Sequence, residues 1–289
     1  MSMLRVELKK LIEFQHPGVK VFDLRDDFGL ACLVEEEETT TLYLNEFRCR
    51  SWPRENHPFM HSIRWFSEYQ VIAWLVEFQA AVISADNWDL LSIGRPEKIL
   101  LSNNRIFVGY GDEFTLRARP GEVEINVVAV FLRDGQIEFG LDEIFSKDNY
   151  KGTIIELNAG YTFGERMIFN AHSADYLWIL DPVSKSYKRI HVPFETTLID
   201  VLSGDDKHAV AILNYSAPFK LAIFDLVSKT SAECDFAPVE MALTAAGFAM
   251  SETKFQPNST GRIIVSDSKK AALLEFSGVA QRAAETLEP

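Results

Sequence analysis

Few side chains in this sequence are spaced for chemistry, and each group has a competing structural reading. Gly109-Tyr110-Gly111 begins like a dinucleotide fingerprint, in which glycines let a helix N-terminus approach a pyrophosphate. The third glycine is replaced by Phe114 and no helical pattern follows, so the run reads as a turn or bulge in a strand-rich unit. His57 and His61 are four apart, as two metal ligands on one helix would be, but Pro58 lies between them and a surface loop fits better. His16, His172, His191 and His208 have no ligand spacing. Neither a Gly-x-Ser-x-Gly elbow nor a P-loop is present. Cys32 and Cys234 follow strand alternation, which reads as buried structural thiol rather than nucleophile. No cofactor-binding or metal-binding pattern is met, so neither group is expected. Asn214-Tyr-Ser216 and Asn258-Ser-Thr260 fit the glycosylation pattern, which has meaning only in a secreted chain.

The charge pattern narrows the partners. With 42 acidic and 29 basic residues the formal net charge is −13, against nucleic acid and against an anionic membrane surface. Such a balance suits solubility or a basic protein partner. Glu35-Glu36-Glu37-Glu38 is the densest acidic run. The 3 cysteines form no even framework, the first ten residues lack the apolar stretch of a signal peptide, and no window is apolar enough to span a bilayer. A reduced cytoplasm is the expected compartment.

The elements that must carry these groups are strands, in keeping with 21 Phe among the residues. Tyr176–Lys185 and Lys220–Lys229 are copies: Leu177, Ile179, Asp181 and Val183-Ser184-Lys185 match Leu221, Ile223, Asp225 and Val227-Ser228-Lys229. Each copy is an apolar strand, an Asp-opened turn and a second strand, the carboxylate suiting a turn because it bonds the backbone two residues on. The same grammar recurs with turn residues Asn45, Asp86, Asp134, Asp181, Asp225 and Asp267, at spacings of 41, 48, 47, 44 and 42. Two more strands precede most of these turns, for example Thr153–Leu157 then Met167–Ala171, and Leu198–Leu202 then His208–Asn214. Long helical stretches are absent.

Four strands per unit at this period resembles the β-propellers in general. The expected fold is all-β, a single domain over 1–289 with six four-stranded blades. Mis-pairing of the first or last unit would make the count five or seven. Residues 279–289 are a short helical or frayed tail, and Leu4–Glu13 is the strand that closes the ring. The Gly-His and Trp-Asp marks of WD40 repeats and the paired glycines of kelch repeats are missing, so the resemblance stops at the superfamily.

That resemblance implies where function sits. Glu35–Glu38, between the second and third strands of the first unit, shares a face with the links between blades, which carry Arg54, His57 and Phe59. His172, Asp175, Tyr215 and Phe219 fall on the same face. Aromatics beside acids suit an interface with a basic protein, so the first expectation is a non-enzymatic protein binder, with an immunity or antidote type as its sharper form. The alternatives are a lactonase-like metal-dependent hydrolase in the central channel, using residues such as Glu156, Asn158 and Asp200, or a sensor of a small ligand or carbohydrate.

Overall fold

A computed structural model of the protein describes residues 4–75, 79–93, 96–110, 115–116, 125–126, 128–141, 157–171, 176–192, 199–213 and 218–277. It forms a six-bladed β-propeller of six four-stranded antiparallel sheets. Blade I is Val19–Arg25, Gly29–Glu35, Thr39–Leu44 and Phe47–Pro53; blade II is Met60–Ser67, Gln70–Leu75, Gln79–Ile83 and Trp88–Leu91. Blade III is Pro96–Leu101, Arg105–Tyr110, Val128–Leu132 and Ile137–Gly140. Blade IV is Leu157–Phe163, Arg166–Ala171, Tyr176–Asp181 and Ser186–His191. Blade V is Ile199–Gly204, His208–Leu213, Lys220–Asp225 and Thr230–Cys234. Blade VI takes Lys254–Pro257, Ile263–Ser266 and Lys270–Ser277, and its outermost strand is β1 (Arg5–Glu13), which pairs Arg5 with Ser277 and Glu13 with Lys270.

The packing follows from strand alternation. In blade I, Ala31 and Leu33 face blade II, while Leu30, Cys32 and Val34 face blade VI. A strand buried on both faces must be apolar at nearly every position, which is why Gly29–Glu35 reads Gly-Leu-Ala-Cys-Leu-Val-Glu. Among the described residues the core is therefore six clusters, one per blade interface. Gly109 belongs to this packing: a Cβ there would lie 2.3 Å from Cβ of Leu157 on the next blade. It sits in a strand, in neither a turn nor a phosphate loop.

The two sequence copies fold alike down to single atoms. Oδ1 of Asp181 accepts from the N–H groups of Val183 (3.0 Å) and Ser184 (3.2 Å), and Oδ1 of Asp225 from Val227 and Ser228 (both 2.9 Å). Asn45, at φ +56°, instead ties its turn to the first turn of the same blade, accepting from the N–H of Leu30 at 3.0 Å and donating to the Phe28 carbonyl at 2.9 Å.

Three expectations need correction. Asp267 is not a third-to-fourth-strand turn; it joins the second and third strands of blade VI, because β1 supplies the fourth. The regular spacing arose because an insert before blade VI takes up about the length of a missing hairpin. That insert contains the helix α1 (Ala237–Ala245), which the strand grammar missed. Oδ1 of Asp235 accepts from the N–H of Ala237 at 2.9 Å, Gly247 stands at φ +73° beyond its end, and Val239 and Leu243 bury against the blade V–VI core. The first strand of blade IV is also displaced, running Leu157–Phe163 rather than ending at Leu157. The tail expected over 279–289 lies outside the described residues. Among the described residues no helix is long and apolar enough to cross a membrane.

Candidate functional site

Antiparallel order puts the second-to-third-strand loops and the inter-blade links on one face, here the upper face, and the remaining turns on the lower face. The two ends of the central channel differ. At the lower end the first turn of blade VI, Asn258–Gly261, reaches across the axis. The Ser259 carbonyl accepts from the N–H of Leu101 in blade III at 3.1 Å, and its own N–H lies 3.2 Å from Oδ1 of Asp23 in blade I. Asn258 donates to the Leu24 carbonyl at 3.0 Å, and a Cβ on Gly261 would meet Tyr161 of blade IV at 2.1 Å. The turn thus plugs the lower mouth. Asn258 is 1% exposed, so its sequon is closed to an oligosaccharide in the folded chain.

Asp23 is fully buried beneath this plug and also accepts from the N–H of Trp65 at 2.8 Å, so one carboxylate ties blades VI, I and II. Burial pushes its carboxyl above the usual range, outweighing the Arg64 guanidinium and the N–H donors. Asn158 donates its amide to the Ile199 carbonyl, latching blade IV to V, and Glu156 lies outside the described residues. Asp200 is pushed up to about 6 by burial, with Lys98 opposing the shift. Among the described residues no three His, Cys, Asp or Glu side chains cluster as a metal site would need.

The upper face at blades I and II brings most of the other candidates together. Glu35 pairs with Lys20 at 3.1 Å and with Arg54 at 3.8 Å. Glu36 accepts from the hydroxyls of Thr39 (2.6 Å), Tyr43 (3.0 Å) and Thr41 (3.3 Å), donors that hold its carboxyl below the usual range. Arg54 also donates its backbone N–H to the Glu38 carbonyl at 2.9 Å, clamping the acidic loop to the link between blades. Two of the four acids are therefore structural, and Glu37 and Glu38 are the exposed pair.

Beside them the link turns through a short 3-10 segment, Arg54–Asn56, after which Nδ1–H of His57 donates to the Arg54 carbonyl, 3.0 Å away. Phe59 is 56% exposed. Its ring lies 6.2 Å from His57 and 5.4 Å from His61, and His61 lies 5.0 Å from Trp74. The buried indole N–H of Trp74 has no acceptor among the described residues. His57 and His61 thus serve an aromatic group, not a helix.

Phe219 is on the same face but half-buried, its ring 5.0 Å from Phe255 and 5.4 Å from Phe236. His172, Asp175 and Tyr215 lie outside the described residues. Sequence reasoning did not single out Trp74 or Tyr43, whose roles depend on neighbours in other strands. Cys32 is buried, its thiol pushed up to about 12 by desolvation, while Cys49 and Cys234 are half-buried.

No family model matches the chain, and no curated protein matches it. Among solved structures it is similar to the WD40 β-propeller domain of Doa1, at 9% identity, covering 93% of this chain and 97% of that one with a TM-score of 0.46. At that level the likeness carries no argument about function, and the ring rests on its own strand pairings.

Proposed function

We propose that the protein is a non-enzymatic binding module that docks another protein, a basic one, on its upper face at blades I and II. The observation that carries this reading is the exposed Phe59, backed by His57, His61 and Trp74, on the link that Arg54 clamps to the loop of the exposed acids Glu37 and Glu38. An aromatic anchor bordered by charge is the composition of an interface hot spot. A rigid ring suits the task because its loops are displayed at low ordering cost. The plugged lower mouth also favours use of the surface over use of a through-channel. Within this reading, an antidote role against a basic toxin or nuclease rests on the net charge of −13 alone.

The test is affinity purification from the host at low salt, with a salt gradient and mass spectrometry of co-eluting chains. A stoichiometric basic protein that leaves as salt rises supports the reading. Its capture must weaken with Phe59→Ala, and with Glu37→Lys combined with Glu38→Lys, which spare the structural bonds of Glu35 and Glu36. Capture indifferent to both variants overturns it.

A further inference from the structure

The seam where blade VI meets blade I holds a cleft of about 270 Å³. Its walls are Ile12, Phe14, Val19, Leu30 and Cys32, and its rim carries Glu13, Gln15, His16 and Glu46. We infer that this cleft is an anchor pocket for one large apolar side chain from a Lys- or Arg-rich segment of the partner. The inference rests on the upper-face reading above and extends it to a second contact.

Three observations support the assignment. The volume falls just below the roughly 300–1,000 Å³ of pockets that take drug-sized ligands, which suits one side chain. No Lys or Arg lines the cleft, while two carboxylates stand at its rim. Glu46 accepts from Nε2 of Gln15 at 3.2 Å, and among the described residues neither Glu46 nor Glu13 has an ion-pair partner. An apolar hole rimmed by unpaired acids is complementary to an apolar residue flanked by cations. A second copy of this chain, at net charge −13, is the wrong sign for that rim.

The third observation is continuity with the acidic loop. His16 stacks on Tyr43 at 4.2 Å and 23°, and the Tyr43 hydroxyl donates to Glu36 at 3.0 Å. His16 also borders the two depressions that continue over the upper face, one walled by Glu35, Glu36, Glu37 and Arg54, the other by Glu252, Asp267, Lys269 and Lys270. On that second side Lys270 is engaged, donating to the Ala246 carbonyl at 2.5 Å over the Phe248 ring. A segment lying across blades VI and I would meet acids on both sides of the cleft, with Lys20 and Arg54 tied to Glu35 on the first side and Lys269 the remaining cation on the second.

The experiment follows the methyl NMR signals of Ile12, Val19 and Leu30 in the full chain during titration with the synthetic pentapeptide Lys-Lys-Leu-Lys-Lys. The controls are Lys-Lys-Ala-Lys-Lys, Glu-Glu-Leu-Glu-Glu and isopentylamine. The expected result is a saturable shift of those three residues with the first peptide alone. Combining Glu13→Lys with Glu46→Lys, both exposed, should weaken that binding about fivefold while leaving the remaining methyl spectrum unchanged. No shift, or an equal shift with the alanine peptide, overturns the inference. Isopentylamine binding as tightly as the leucine peptide also overturns it, since the cleft would then take a free amine. Shifts confined to the surroundings of Phe59 sink the pocket and keep the upper-face reading. Shifts at the cleft with partner capture indifferent to Phe59→Ala do the reverse.

Discussion

The interface between blades IV and V and the seam between blades VI and I are built from the same kind of strand, yet they differ in how full they are. Among the described residues the first gathers fourteen buried apolar side chains, including Tyr161, Leu177, Ile199 and Phe224. The second gathers seven, with Ile12, Phe14, Val19, Phe22 and Tyr43 only partly covered, and it leaves the cleft open. Blade V is closed by neighbouring hairpins. Blade VI is closed by pairing residues 5–13 with residues 270–277, so its register is set by strands at opposite ends of the described chain. Compactness has been given up at the one joint where the ring must shut, and that joint borders the candidate site.

The strongest way to break the comparison is to remove residues 1–13. This strips the partner from Lys270–Ser277 and the apolar cover of Leu8 and Leu4 from Val239 and Leu243. The expected outcome is loss of the cooperative thermal transition followed by circular dichroism. Five Gly/Ser residues inserted between Ser228 and Lys229 in blade V should instead cost about 1 kcal/mol or less.

Next in size is Asp23→Ala, expected to cost about 3–5 kcal/mol by urea denaturation, because it leaves the Arg64 charge without its counter-charge. The N–H groups of Trp65 and Ser259 are orphaned as well. Asp23→Asn keeps one acceptor and should cost less. Its pH dependence carries the sign. The folded Asp23 carboxyl is raised, so the native state holds the proton more tightly. Its contribution is greatest below the unfolded value near about 4 and declines as pH rises from there. Asp225 in blade V behaves oppositely: burial raises it, but the N–H groups of Ser228 and Val227 outweigh burial and lower it. Its contribution is present above about pH 4 and lost on acidification. Denaturation midpoints of Asp23→Asn and Asp225→Asn across that range should therefore diverge in slope, and parallel slopes would contradict the assignment.

A smaller effect compares packing directly. Ala211→Val, in the full IV–V core, should cost about 1–3 kcal/mol, whereas Val19→Leu, beside the cleft, should fall within about 0.5 kcal/mol of the parent. Equal costs would mean the seam is as tightly filled as its neighbour. Smallest is Lys185→Gly, at φ +47°, which should gain about 0.5–1 kcal/mol by relieving a left-handed conformation.

What was legible in the sequence was what neighbouring residues decide. The Asp181 and Asp225 turns could be read because each carboxylate bonds amides two and three residues on. Asp267 makes the same local bonds, to Lys269 and Lys270, but its place in the blade depends on where β1 lands. Helix α1 left a faint signal in Asp235, Pro238 and Gly247, obscured by the regular spacing. Glu35–Glu38 could be read as a cluster. Its division into tied and free acids could not, since Lys20 and Tyr43 reach it from other strands. Phe219 sits in a polar-looking loop, yet Phe236 and Phe255, distant in sequence, draw its ring inward. The plug of the channel is invisible until the ring brings Leu101, Asp23 and Tyr161 to one point.

The closing strand has a consequence in time. On a ribosome adding roughly 5–20 residues per second, β1 emerges before the strands of the ring and waits on the order of ten to fifty seconds for Lys270–Ser277. During that interval it is a nine-residue strand with an apolar stripe and no mate. Arg5, Glu7, Lys9 and Glu13 alternate along its other face, charges of the kind that keep a lone strand from joining a neighbour's sheet on the same polysome. The outward face of β1 is thus shaped for its period of solitude as much as for the finished ring.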